Sequence, residues 1–143
     1  MTIPAHDMAI FLRDQAVGNL GGTLDWAIRI GKEPTSPDRS ITLYDTGGDP
    51  NPKFLLDQST IQIRVRGAKQ DYQVTYLKAL DIKNQLLSFP RQTVNGTLYI
   101  GVWPVGDIVY IGHDDNDRPL FTSNWRLGSE PTQASPETNR QSF

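Results

Sequence analysis

Cysteine is absent from the 143 residues, which excludes disulfides and thiolate metal sites and fits a cytosolic or intracellularly assembled protein. Histidine is nearly absent too: only His6 and His113 occur, while a zinc centre needs three or four nitrogen, sulfur or carboxylate ligands. No apolar run approaches the length of a membrane span, and the opening MTIPAHDMAIFLRDQ is too polar for a signal peptide, so no membrane is expected. Neither sign of charge dominates. The net charge is −2 and the pI about 5.6, giving no general attraction to nucleic-acid phosphates or anionic lipid. No Gly-x-Ser-x-Gly elbow is present. "GNLGG" at 18–22 lacks the Lys-Ser/Thr of a phosphate-binding loop and follows a helix rather than a strand. No cofactor, metal or catalytic set is expected, and the protein reads as a non-enzyme.

What is present has the size of one domain, large enough for a core without staples. Residues 4–17 read as a helix, with proline in its first turn, Thr2 or Asp7 as cap, and Met8, Phe11, Leu12 and Ala16 at helical spacing. The glycines of 18–22 are expected to stop it. Alternation around Trp26, Ile28 and Ile30 predicts a strand, 40–45 a second, and 46–58, punctuated by glycine and proline, a long loop. The segment 60–67, "TIQIRVRG", is the clearest strand, with Ile61, Ile63 and Val65 on one face and Gln62, Arg64 and Arg66 on the other. A main helix is expected over 71–88, with Tyr72, Tyr76, Ala79, Leu80, Leu86 and Leu87 along a broad stripe and Lys83 at its edge. Strands follow, with a hairpin at Asn95-Gly96. The fold class is α+β: a single domain, mostly antiparallel sheet packed with two helices. Residues 1–128 form that domain, and the polar tail 129–143 is expected to be disordered.

Three stretches invite a functional reading. "HDDND" at 113–117 concentrates acids beside a histidine, yet it has neither the glycine nor the closing glutamate of a calcium loop. Asp and Asn bond their own backbone and tolerate left-handed geometry, so it reads as a hairpin turn. Gln62, Arg64 and Arg66 present either a solvated face or a polar contact to another subunit. Phe54, Leu55 and Leu56, apolar within a loop, pack either under their own sheet or into a neighbour.

Together "LYDTGG", "IQIRVRG" and "IGHDDNDRPLF" followed by "NW" resemble the bacteriophage minor capsid and tail-terminator family over about 26–127. The turn in that family often reads Asn-Gly-Arg, where this chain has Asp117 before Arg118. The resemblance implies a subunit of a ring, commonly a hexamer, at the head-proximal end of a phage tail. Such a ring stops tail-tube polymerisation and meets the neck or head-completion proteins, with DNA only passing through its lumen. It would reside in the virion after assembly in the host cytoplasm. On that reading Phe54, Leu55, Leu56, Gln62, Arg64 and Arg66 are the candidate subunit interface. The alternatives are another neck or head-completion component, a metal-dependent or hydrolytic enzyme using 113–117, and a host-encoded binding module.

Overall fold

In a computed structural model that describes residues 3–49 and 57–130, the chain begins with helix α1 (Pro4–Asp14). Proline suits the first helical position, where its missing N–H has no partner to lose. Neither expected cap serves. Thr2 lies outside the described residues, and Asp7 is fully buried. The helix is instead capped from a distant strand: the Ala5 N–H donates to Asp45 Oδ1 at 2.9 Å. Its end is not made by the glycines either. Ala16 takes the left-handed conformation (φ 61°), with Ala16 N–H bonded to Arg13 O and Val17 N–H to Leu12 O, both at 3.0 Å. That is a Schellman motif built on alanine, held by the burial of Val17. Gly18 serves a different need, because a Cβ there would stand 2.5 Å from the Trp26 carbonyl.

The strands are β1 (Asn19–Leu20), β2 (Ala27–Ile30), β3 (Ser40–Asp49), β4 (Asp57–Arg66), β5 (Gln92–Val94), β6 (Thr97–Pro104), β7 (Val109–His113) and β8 (Pro119–Ser129), with helix α2 (Tyr72–Leu87) between β4 and β5. They form one sheet in the order β1-β2-β3-β4-β8-β6-β5, and β7 pairs β8 alongside β6. The first two pairings are parallel and the rest antiparallel. The fold is the expected α+β single domain.

The loop expected over 46–58 is shorter than its glycines imply. Thr46 to Asp49 continue β3, and Gly48 and Asp49 pair with Ser59 and Gln58. A register shift after Asp45 absorbs one extra residue, and Gly48, at φ 133°, lies so close to the partner strand that a Cβ would meet Gln58 O at 2.1 Å. Glycine marks a bulge and a close approach here, not a loop. At Asn95-Gly96, by contrast, both residues take positive φ (51° and 86°), and the two-residue hairpin joins Val94 to Thr97 as expected.

Both helices cover one face of the sheet. Ile41, Leu43, Ile61, Ile63, Val65, Phe121, Trp125 and Leu127 are buried against Met8, Leu12, Ala79, Ile82 and Leu86, each large side chain contributing about 1.5–3 kcal/mol. The buried stripe of α2 is narrower than the sequence suggests: Thr75, Ala79, Ile82 and Leu86 face the core, Leu80 is half-buried, and Tyr72, Tyr76 and Leu87 stay exposed. The two tyrosines lean over Phe121 at the rim (5.0 and 5.7 Å between ring centres), where the sheet ends and nothing described covers their outer sides.

Candidate assembly surfaces

The acidic stretch between β7 and β8 is a turn, and one carboxylate organises it. Asp114 Oδ1 accepts the backbone N–H of Asn116 (2.9 Å) and of Arg118 (3.0 Å), while Oδ2 accepts Arg118 Nε at 2.7 Å. Asp117 supplies the left-handed residue (φ 62°), the role that glycine would fill in an Asn-Gly-Arg turn. Burial pushes the Asp114 carboxyl up, but the bonds from Arg118 and Asn116 together outweigh it and hold it below the ordinary carboxylate value. His113 points away from the acids: its Nδ1 lies 2.5 Å from the Tyr110 hydroxyl. Among the described residues no group of three or more His, Asp or Glu side chains is placed to hold a metal ion.

The arginine-bearing face of β4 is covered at one end by the chain itself. Segment 31–39, which links β2 to β3, folds over the side of the sheet away from the helices. Arg64 donates to Glu33 Oε1 at 2.9 Å, and Arg66 donates to the carbonyls of Asp38 and Pro37, both at 2.8 Å. From the β7–β8 turn, Arg118 adds bonds to Thr35 O (3.0 Å) and Asp38 Oδ1 (3.2 Å). Arg66 is 3% exposed; burial, then the nearby Arg118, lowers its pKa. Arg64 and Gln62 stay half-buried, with Arg64 over the Tyr44 ring at 5.7 Å. Burial, and then Glu33, raises the Tyr44 pKa. Arg66 therefore clamps a loop, and what β4 offers outward is Gln62 and part of Arg64. Phe54, Leu55 and Leu56 lie outside the described residues.

A third surface went unread in the sequence. β5 pairs only with residues 97–99 of β6, and among the described residues β7 pairs only with β8. The rest of β6 and all of β7 thus form a free edge carrying "IGVWPVGDIVYIGH" (100–113). Trp103 (46% exposed), Val109 (50%) and Ile111 (44%) stand out from it. The Trp103 ring lies on a floor of two glycines, since a Cβ at Gly101 or Gly128 would come within 2.9 or 2.8 Å of it. A half-exposed tryptophan held rigid in this way has the character of an interface anchor. Beside it Tyr110 closes an aromatic group with Tyr72 and Phe121, at ring separations of 5.1 and 5.4 Å. Free strand edges in monomeric proteins are usually guarded by lysine or proline, and β7 has neither. The signal was in the sequence, as an apolar run with a single carboxylate, Asp107, bonded to Lys83 at 2.9 Å, but strand periodicity alone does not say which strand lacks a neighbour.

At the opposite end of the sheet, beside β1, an open cleft of about 620 Å³ lies among Arg13, Gly18, Leu20, Leu24, Trp26 and Lys78. Lys78 reaches across its base, bonded to Val17 O at 3.0 Å and set 5.2 Å from the centre of the Trp26 ring. No described helix is long and apolar enough to cross a membrane.

Compared with known families, the chain matches a family model described as bacteriophage tail terminator protein over residues 11–128. No curated protein matches it.

Proposed function

From the premise that this chain belongs to the bacteriophage tail terminator family, matched over residues 11–128, we propose that it assembles into a ring that caps the tail tube and joins it to the neck. It is a structural protein of the virion tail. The ring, commonly a hexamer in the family it resembles, ends tube polymerisation on one face and receives neck or head-completion proteins on the other. DNA passes through the lumen without a dedicated binding site.

The family match carries this reading, and the free apolar edge at 100–113 supports it. A subunit exposing Trp103, Val109, Tyr110 and Ile111 together has surface that a partner is expected to cover. Gln62 and Arg64, with Phe54, Leu55 and Leu56, remain proposed contacts to a second partner.

Native mass spectrometry of the full chain, alone and with the tail-tube protein, tests the proposal. The expected result is a closed oligomer, formed alone or on the tube end, and arrested tube growth when the chain is added to polymerising tube protein. A chain that stays monomeric in both conditions and leaves tube length unchanged overturns it.

A further inference from the structure

On the face of the sheet away from the helices, one row of side chains crosses three strands. Arg29 on β2 pairs in register with Thr42 on β3, and Thr42 with Arg64 on β4, so the three stand on the same side with Thr42 between two arginines. The neighbouring row pairs Ser40 with Arg66. Ser40 and Thr42 are fully buried. Their hydroxyls and Arg64 Nε, all three out of contact with water, have no hydrogen-bond partner among the described residues. Buried polar groups left bare together in this way are rare, because each gives up the bond it makes to water.

The nearby arginines show what Arg64 lacks. Arg39 uses Nε and Nη2 together on Asp71, and Arg66 uses the same pair on the carbonyls of Asp38 and Pro37. Arg118 gives Nε to Asp114 and Nη1 to Thr35 O. Arg64 makes a single bond, from Nη1 to Glu33 Oε1 at 2.9 Å, so its fork is half used. Glu33 is itself shared, standing 3.9 Å from Arg66 Nη1. Arg29 bonds to the carbonyls of Ile28 and Gly22 and has no carboxylate partner among the described residues. The other acids of this face, Asp38 and Asp114, are taken by Arg118. Glu33 lies on segment 31–39, none of which is buried and whose only apolar side chains are two prolines. Polar bonds alone hold it there, and a stronger ligand can replace them.

We propose that Arg64, Thr42 and Arg29 form a receptor for a carboxylate carried by another protein of the virion, and that Glu33 keeps its place in the single chain until the incoming group displaces it. The inference rests on the reading of Arg64 as a partner contact and deepens it by naming the chemistry received. A carboxylate that takes Nε and Nη of Arg64 in parallel makes the bidentate pair that Glu33 does not. Beside Nε it meets the Thr42 hydroxyl, and it brings a negative charge next to Arg29. A neutral amide would satisfy the hydroxyl but not the two guanidinium charges. A carboxylate is favoured over a phosphate because the group now at the fork is one, and because a net charge of −2 gives DNA no general attraction.

The test is a titration of the full, isotope-labelled chain with a hexaglutamate peptide blocked at both ends, followed by NMR at the Arg64 Nε–H. A saturable shift of that resonance and of the Thr42 amide is expected. Arg64→Lys keeps the charge and loses the fork, and should weaken binding at least about fivefold. Thr42→Val removes a hydroxyl that has no partner, so the melting temperature should hold or rise while binding weakens at least about twofold. Glu33→Gln should tighten binding at least about threefold, whereas Asp38→Asn, which removes the same charge from the same segment, should change it by less than about twofold. Equal effects of those two variants, or an unchanged affinity in Arg64→Lys, would reduce the binding to general charge attraction and overturn the receptor. Absence of any saturable shift overturns it too, leaving bound water as the partner of Thr42. A short DNA duplex that shifts the same resonances at lower concentration than the peptide overturns the carboxylate in favour of phosphate. Failure in a chain that still forms its closed oligomer strikes this inference alone. Peptide binding through Arg64 in a chain that never assembles supports the receptor and removes the ring.

Discussion

Asp7 and Asp114 are two carboxylates that organise the structure around them. Asp7 sits wholly inside the protein, accepting hydrogen bonds from the Tyr99 hydroxyl and from Asn95 Nδ2 at 3.3 Å, and so ties α1 to the β5–β6 hairpin. Tyr99→Phe is expected to cost about 1–3 kcal/mol, the range for leaving a buried polar group without its hydrogen bond. Tyr72→Phe, at the exposed rim, should cost less than about 0.5 kcal/mol. Urea unfolding of both variants checks the contrast. For the turn, Asp114→Ala should cost about 1.5–3 kcal/mol, while Asp115→Asn with Asp117→Asn should leave monomer stability nearly unchanged. Because the folded Asp114 carboxyl titrates below its ordinary value, its contribution is complete above about pH 4 and disappears as pH falls through the lower folded value. The stability gap between wild type and Asp114→Asn should be constant from neutral pH down to that point and close only in more acid solution. A gap that instead widened on acidification would contradict this account. The sequence showed that 113–117 was a turn but not which of its acids held it, because that depends on where Arg118 is fixed by Thr35 and Asp38 from another part of the chain.

Among the elements, β3 shows how a glycine pair misleads. Gly47 and Gly48 both have positive φ, but only Gly48 has backbone against the position of a Cβ. Gly48→Ala should therefore destabilise the domain by more than about 2 kcal/mol, and Gly47→Ala, which meets nothing within 4 Å, by about 1 kcal/mol from backbone strain alone. Equal melting temperatures for the two variants would refute the close approach. Strand β4 and the Asn95-Gly96 hairpin were legible because alternation and turn chemistry act within a few residues. The end of α1 was not, because an alanine is held in the left-handed region by the burial of the following Val17, a tertiary effect. The face of α2 was misjudged for a related reason. An apolar stripe says which residues prefer cover, and packing against the sheet fully buries only Thr75, Ala79, Ile82 and Leu86.

For the whole molecule, the proposed ring separates two kinds of variant. Substitutions at Trp103, Val109 or Ile111 should leave a folded monomer and weaken assembly, because these side chains are exposed in the single chain and the proposed ring would cover them. Trp103→Ala is the sharpest case, since half-exposed tryptophans often anchor interfaces at about 2 kcal/mol or more each, and the loss is repeated at every contact of a ring. Size exclusion read beside thermal melting distinguishes a failed interface from a failed core. Phe54→Ala with Leu56→Ala is expected to behave in the same way if those residues meet a partner, and to lower the monomer's melting temperature if they do not. Deleting 131–143 should change core stability by less than about 0.5 kcal/mol, since a segment so poor in apolar residues has little to bury.

The amino-acid sequence by itself determined the α+β class, strand β4, the β5–β6 hairpin and the acidic turn, because periodicity and turn chemistry are properties of neighbouring residues. Its short signatures also pointed to the family that the match over 11–128 bears out. Only the tertiary structure decided that Arg66 clamps segment 31–39 from beneath, that Asp45 caps a helix forty positions away, and that beyond residue 99 β6 and β7 have, among the described residues, no strand neighbour other than β8. Those outcomes depend on which strands stack beside which, and strand order is set by packing of the whole core rather than by any local run of residues.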